Sequence, residues 1–134
     1  RFSPFSSASG AADSNPQATF EYAIAKVNDF GLAYLHLVEG ETGGTRDLPP
    51  DADLKKLRAC FNGVYMANNG YNLELAQQAI VSGAADLIAF GRPFISNPDL
   101  VERLRQNAPL TPPDHKTFYG GGAEGYTDYP CLNE

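Results

Sequence analysis

Apolar and polar positions follow two periods along the chain, and these periods predict helices and strands in alternation. After a cap at Ser14 or Asn15, apolar residues recur at helical spacing up to the turn at 28–31, which predicts a helix. The segment 32–38 is a continuous apolar run broken only by His36, which is typical of a parallel strand covered on both faces. The apolar residues at helical spacing are Phe20, Ile24 and Val27.

The same order of elements then repeats. The pattern predicts a helix over 51–60 and a strand over 64–67, then a helix from its cap Asn72 through Ser82 and a strand over 87–90. Strands that alternate with helices predict an α/β fold with a parallel sheet. Because three strands would leave both edges of such a sheet open, the pattern is typical of part of a larger sheet or barrel.

The junction after the last predicted strand combines features that suit an anion. The strand ends at Gly91, which lets a backbone N–H approach a ligand closely, and Arg92 adds a guanidinium that suits phosphate. Asn97 is predicted as the N-cap of a helix over 98–106, whose N-terminus would favour negative charge. An ordinary strand-to-helix turn with a solvated arginine fits the same residues equally well.

The chain is predicted to divide into two parts. Residues 1–106 form the alternating helices and strands, and residues 107–134 form an irregular C-terminal extension that packs on them. Proline and glycine interrupt this extension, while aromatic residues along it favour an ordered segment.

Composition limits the classes of function. The chain has 134 residues, a net charge of −6 and 43% apolar residues, which fits a globular domain and disfavours a nucleic-acid partner. No apolar run approaches membrane-spanning length, and the two cysteines lack metal-ligand spacing. We therefore expect a cytoplasmic protein with no metal site and no membrane association. Because Arg1 stands where an initiating Met is expected, we also expect a fragment, a processed chain or a rearranged one.

In a (β/α)₈ barrel, chemistry lies on the loops that follow the strands, and phosphate binds to the loops after the seventh and eighth strands. If the last two predicted strands hold those places, a phosphate site falls on Asn68–Gly70 and on Gly91–Arg92.

Five stretches resemble one known family. They are RFSP at 1–4, AYLHL at 33–37, ANNGY at 67–71, AFGRPFISNPDL at 89–100 and TFYGGGAEGYTDYP at 117–130. Together they resemble the Old Yellow Enzyme family, and within it the bacterial N-ethylmaleimide and pentaerythritol tetranitrate reductases. The resemblance runs along essentially the whole chain, but it covers only the C-terminal part of the family. It implies the end of strand five and strands six to eight of a (β/α)₈ TIM barrel.

The resemblance implies an FMN-dependent ene-reductase. Such an enzyme takes hydride from NADPH or NADH and reduces the activated C=C bond of an enone, with quinones and nitro compounds as other substrates. This chain would need the N-terminal half of the barrel, supplied as a separate chain, for activity. A non-catalytic half-barrel that binds phosphate or FMN, and that associates with itself, is the alternative.

The resemblance also assigns residues by position. Arg1 would lie at the N1/C2-oxygen edge of the flavin, where a cation stabilises the negative charge of the reduced ring. Thr42 and Tyr119 would line the substrate pocket. No catalytic residue is assigned, because the substrate-gripping pair and the proton-donating tyrosine of the family have no counterpart here. The implied cofactor-binding residues are Arg1, Asn68, Asn69, Gly70, Gly91, Arg92, Phe118 and Tyr119.

Other polar residues are interpreted as structural. His36 lies within an apolar strand and is interpreted as a core histidine or as a support for a site residue. Glu39 and Glu41 follow that strand, and we interpret both as solvated carboxylates of an exposed loop.

Overall fold

A computed structural model of the protein describes residues 1–132. The chain forms two compact units, the first spanning Arg1–Ala89 and the second beginning at Phe90. The strands are β1 Tyr34–Val38, β2 Val64–Asn68 and β3 Leu87–Ala89. The helices are α1 Pro16–Val27, α2 Leu54–Ala59, α3 Leu73–Val81, α4 Arg92–Ser96 and α5 Leu100–Gln106, with short 3-10 helices at Ala8–Gly10, Asn28–Phe30 and His115–Thr117.

The sheet is parallel, with the strand order β1-β2-β3, and it is not closed. Val38, Asn68 and Ala89 share one row at the carboxyl ends of the three strands. Phe2 adds a further parallel bridge beside β1, since its N–H donates to the His36 carbonyl and its carbonyl accepts from the Val38 N–H, each over 2.9 Å. Phe2 therefore pairs with β1 as the end of a preceding strand would, which agrees with what the family resemblance implies.

Side-chain caps begin the first three helices. Asn15 accepts the Ala18 N–H over 3.2 Å, Asp53 accepts the Lys56 N–H over 2.9 Å, and Asn72 accepts the Leu75 N–H over 2.9 Å. Each oxygen satisfies an N–H that the first turn of a helix leaves without an acceptor. The predicted caps Asn15 and Asn72 are confirmed, whereas α2 is shorter than predicted because its cap is Asp53.

One face of the sheet carries the core. Leu35 and Leu37 point to the same side of β1, as the period of two along a strand requires, and they pack with Ile24, Leu57 and Tyr65. All five side chains are at most 3% exposed. Burial of a leucine of this kind contributes roughly 1.5–3 kcal/mol, so this cluster holds α1 and α2 against the sheet.

The opposite face of the sheet is open at one end. Tyr34 is 48% exposed, its register partner Val64 is 40% exposed, and Leu87 is 42% exposed. These positions alternate with the core residues along each strand. The first unit therefore buries one face of its sheet and leaves apolar side chains on the other.

In the second unit, the predicted role of Asn97 is wrong. Its side chain is fully buried and donates to the carbonyls of Pro93, over 2.8 Å, and Thr111, over 3.0 Å, while it accepts the Thr111 N–H over 2.8 Å. The amide thus binds the segment after α5 instead of capping that helix, which begins at Leu100. The helix α4 was not predicted, because its five residues are too few to show a helical period.

Arg103 holds the segment after α5 in place. Its buried guanidinium pairs with Asp99 over 2.6 Å and donates to the carbonyls of Pro109, over 2.9 Å, and Pro130, over 2.8 Å. These contacts agree with an ordered, irregular extension. The predicted division of the chain at residues 106 and 107 stays a prediction, and its last two residues, Asn133 and Glu134, lie outside the described part. Within residues 1–132, every helix is too short or too polar to cross a bilayer.

Candidate functional site

The loops that follow β1 and β2 are joined at the carboxyl edge of the sheet. The Glu39 N–H donates to the Asn68 carbonyl over 2.9 Å. The Asn69 side chain donates to the carbonyls of Glu39, over 2.6 Å, and Thr45, over 3.2 Å. The Asn68 side chain donates to the Ala89 carbonyl over 2.6 Å, which links β2 to β3. Amide side chains thereby fix the backbone of all three strand ends.

Glu39 lies at the centre of this edge, and its interpretation as a solvated carboxylate is wrong. It is only 7% exposed. Its two carboxylate oxygens accept the hydroxyls of Tyr65, over 3.0 Å, and Tyr71, over 2.6 Å, and Arg46 forms an ion pair with it at 3.5 Å. A buried charge needs this number of partners, and the tyrosines that supply them lie far along the sequence. Glu41, by contrast, accepts the Ser7 N–H on the surface.

The two tyrosines are held in their protonated form. Burial, and then the hydrogen bond to Glu39, raises the pKa of Tyr71 to about 12. Burial and the nearby Glu39 charge raise the pKa of Tyr65 still further. Because both hydroxyls keep their protons at neutral pH, both remain hydrogen-bond donors to the carboxylate.

The loop after β2 presents backbone donors. Asn69 and Gly70 adopt positive φ angles of 116° and 60°, and their N–H groups donate to no acceptor within residues 1–132. Successive backbone N–H groups in a turn form a concavity that suits an anion. Gly70 also lies against Arg46, whose Cγ is 3.3 Å from where a Cβ would stand, so a larger residue would both strain the turn and displace the arginine.

Arg1 is fixed by His36. The Arg1 Nε donates to the His36 Nδ1 over 3.2 Å, so the imidazole is neutral with its proton on Nε2. His36 is 8% exposed, and its Nε2 is buried without a partner among the described residues. His36 therefore orients Arg1, a candidate site residue, which agrees with its interpretation as a support for a site residue.

We expect stability to fall on acidification because of His36. Burial, and then the charges of Arg1 and the N-terminal ammonium, lower the pKa of His36 from 6.5. As the pH falls, His36 takes up its proton in the unfolded chain before it does so in the folded chain. The free energy of unfolding is therefore unaffected above pH 6.5 and decreases as the pH falls from 6.5 towards the pKa of His36 in the folded chain. Urea unfolding between about pH 8 and pH 5 measures it. His36→Leu should flatten the slope and His115→Gln should preserve it; an unchanged slope in His36→Leu would contradict the assignment.

The remaining candidate residues lie in both units. Thr42, in the first unit, is exposed and accepts the Ser6 hydroxyl over 2.7 Å. In the second unit, Gly91 immediately precedes α4, and a Cβ there would meet nothing within 4 Å. Arg92 is the first residue of α4.

The two aromatic candidates also lie in the second unit. The Phe118 ring lies 4.6 Å from that of His115 and 6.3 Å from that of Tyr119. Tyr119 is 93% exposed, so its side chain is open to a ligand or a partner.

Sequence reasoning missed the network around Glu39. Tyr65 and Arg46 were not singled out, because a tyrosine in an apolar strand and an arginine in a polar loop are common. The available signal was a carboxylate placed directly after a continuous apolar strand, where burial of the preceding residues also buries the acid.

Comparisons with known proteins find a matching family and similar chains. A profile of the family described as NADH:flavin oxidoreductase / NADH oxidase matches residues 1–111. The chain is 44% identical to a rice protein, putative 12-oxophytodienoate reductase 11, and 34% identical to 12-oxophytodienoate reductase 2 of Arabidopsis thaliana. Each alignment covers 98% of this chain and 36% of the relative.

Solved structures match equally well. Morphinone reductase superposes with a TM-score of 0.89 at 41% identity, over 98% of this chain and 35% of that one. The old yellow enzyme from Trypanosoma cruzi superposes with a TM-score of 0.87 at 38% identity, over 98% of this chain and 34% of that one. The chain therefore spans about a third of the length of these relatives.

Proposed function

The chain belongs to the NADH:flavin oxidoreductase / NADH oxidase family, and from this premise we propose that it is the C-terminal part of an FMN-dependent ene-reductase. The whole enzyme would use NADPH or NADH to reduce activated C=C bonds, with enones, quinones and nitro compounds as the substrate class. The 12-oxophytodienoate reductases and morphinone reductase that it resembles carry reductase names. We place the enzyme in the cytoplasm, where reducing conditions suit a chain without a disulfide framework.

The backbone of the loop after β2 is the observation that carries the proposal. The N–H groups of Asn69 and Gly70 donate to nothing in residues 1–132, and the Asn68 and Glu39 contacts hold the loop rigid. These donors fit a phosphate, whose oxygens accept such hydrogen bonds. Gly91 and Arg92 are proposed, from their place in the motif, as further phosphate-binding residues. Phe118 and Tyr119 are proposed as flavin-binding residues, and Thr42 and Tyr119 as substrate-binding residues.

Arg1 is proposed to contact the flavin ring, at the opposite end of the cofactor from the phosphate. FMN, when bound, supplies hydride transfer to the substrate. The Arg1 guanidinium, oriented by its bond to His36, would stabilise negative charge on the ring. Arg1 lies beside His36 of β1, and Asn69 and Gly70 follow β2, so the first unit holds both a cation for the ring and backbone donors for the phosphate.

Activity is proposed to require the remaining part of the barrel, supplied as a separate N-terminal chain. The exposed face of the sheet at Tyr34, Val64 and Leu87 supports this, because apolar side chains on a parallel sheet are normally covered. The test mixes the full chain with the matching N-terminal part of a relative and adds FMN. Flavin absorbance and NADPH oxidation are expected from the mixture, and a colourless, inactive mixture at saturating FMN would overturn the proposal.

A non-catalytic module that binds FMN or phosphate is the second candidate. It is favoured by the same free N–H donors together with the absence, within residues 1–132, of an assigned proton-donating residue. Sedimentation and an NADPH oxidation assay separate the two. A homodimer that binds FMN without oxidising NADPH, even with the N-terminal part added, would favour the module.

Arg92→Ala is expected to weaken FMN binding. A charge-assisted hydrogen bond to phosphate contributes roughly 1.5–3 kcal/mol, so the dissociation constant should rise about 10- to 140-fold. Quenching of FMN fluorescence measures it in the complemented protein. Arg105→Ala, which removes an exposed cation from α5 of the same unit, should leave the affinity unchanged. Equal affinities in both variants would remove Arg92 from the phosphate site.

A further inference from the structure

A second candidate site lies in the first unit, in a cleft between α2 and α3. The cleft has a volume of about 760 Å³, and residues of both helices and of β2 line it. Small-molecule sites in proteins have volumes of about 300–1,000 Å³, so the cleft is large enough for a compound of moderate size. It lies on the helix-covered side of the sheet, where Tyr65 packs into the core.

The polar lining of the cleft favours an anion. Three cations, Arg46, Lys55 and Arg58, line it against one carboxylate, Glu39. Both oxygens of Glu39 already accept tyrosine hydroxyls, so the carboxylate has little capacity left for hydrogen bonds to a ligand.

Two of these cations can still meet an anion. Lys55 is exposed and forms no ion pair within residues 1–132. Arg58 pairs with Asp86 over 2.8 Å, and its side chain remains 28% exposed. A ligand in the cleft would therefore meet one cation without an ion-pair partner and one that is shared with Asp86.

The apolar lining favours a hydrocarbon body. Leu54 on α2 faces the cleft together with Leu75 and Ala79 of α3. Leu75 is 37% exposed, so covering it would remove apolar surface from water. Apolar walls with a few polar groups are the usual composition of a small-molecule site. We propose that this cleft binds a small organic anion with an apolar chain, held by Lys55 and Arg58.

Decanoate, a ten-carbon carboxylate, is the probe. Titration of the full ¹⁵N-labelled chain should shift the backbone amides of α2 and α3 and leave those of Tyr34, Val64 and Leu87 in place. Lys55→Gln should weaken binding about fivefold, as expected for one exposed charge contact. Lys56→Gln is the matched control: the neighbouring lysine pairs with Glu21 at 3.0 Å and does not line the cleft, so affinity should stay within about twofold.

Gln78→Trp gives an independent check. Gln78 is exposed and lines the cleft, so a larger ring there should fill the space without disturbing the core and should abolish the shifts. Shifts at the open sheet face instead, equal binding of neutral decanol, or full binding by both Lys55→Gln and Gln78→Trp would each overturn the proposal. Because FMN is absent from every arm, failure here leaves the proposed reductase function unaffected.

Discussion

Replacement of Glu39 by alanine is expected to cost about 2–6 kcal/mol of the free energy of unfolding, because two tyrosine hydroxyls lose their acceptor at about 1–3 kcal/mol each. The carboxylate accepts both tyrosine hydroxyls and pairs with Arg46. Its removal leaves the hydroxyls of Tyr65 and Tyr71 without an acceptor and takes the ion-pair partner from Arg46, whose side chain is 36% exposed. Because a domain of this size is stable by only about 5–15 kcal/mol, the variant should unfold at a clearly lower urea concentration than the parent. Urea denaturation followed by circular dichroism measures the loss.

Glu39→Gln separates the charge from the shape of this residue. Its amide oxygen can accept one tyrosine hydroxyl, but its NH₂ group faces the second tyrosine and Arg46, so we expect an intermediate loss. Glu74→Gln, on the exposed surface of α3, should leave the midpoint unchanged. A Glu39→Ala variant as stable as the parent would show that the carboxylate is not a buried anchor of the sheet edge.

The Glu39 network shows which kind of contact the sequence could not predict. Caps such as Asn15 and Asn72 were predictable because each bonds to a backbone N–H only three residues away. The strand positions were predictable because a continuous apolar run needs cover on both faces. Glu39 depends instead on Tyr65 and Tyr71, which are 26 and 32 residues distant, and no local pattern indicates that a carboxylate will meet them.

The error at Asn97 has the same origin. Locally, Asn followed by Pro and Asp is a strong signal for the beginning of a helix. The structure uses the amide to bind Thr111, fourteen residues further on, and buries it completely. A buried side chain with four hydrogen bonds holds the extension more firmly than a cap exposed to water would. Tertiary contacts thus overrode a correct local preference.

The sequence could select the candidate cofactor residues but could not show how their side chains are arranged. Position in a motif was enough to select Asn68, Asn69 and Gly70, and the resemblance to a known family selected Arg1. The sequence could not show which of their atoms are the donors. The Asn69 side chain turns inward to bind backbone carbonyls and leaves the backbone N–H groups as the candidate donors. For His36 the sequence left two interpretations open, a core histidine or a support for a site residue, and its bond to Arg1 favours the second.

The proposed role of Arg1 rests on charge. Reduction places negative charge on the flavin ring, and a cation already held beside it stabilises that charge without further reorganisation. His36 supplies the fixed orientation, because its neutral Nδ1 accepts the Arg1 Nε–H. An arginine also presents a planar set of donors that a lysine lacks, so charge alone accounts for only part of the expected effect.

Arg1→Ala is therefore expected to slow reduction of the complemented enzyme by NADPH about 10²-fold, as removal of one preorganised donor typically does. The reduction rate of Arg1→Lys should lie between the rates of Arg1→Ala and of the parent. Stopped-flow absorbance of the flavin measures the rate, and FMN titration shows whether affinity changes as well. Lys26→Ala, which removes an exposed cation from α1, should keep the parent rate. If Arg1→Ala reduced at the parent rate with FMN fully bound, the guanidinium would not act on the ring.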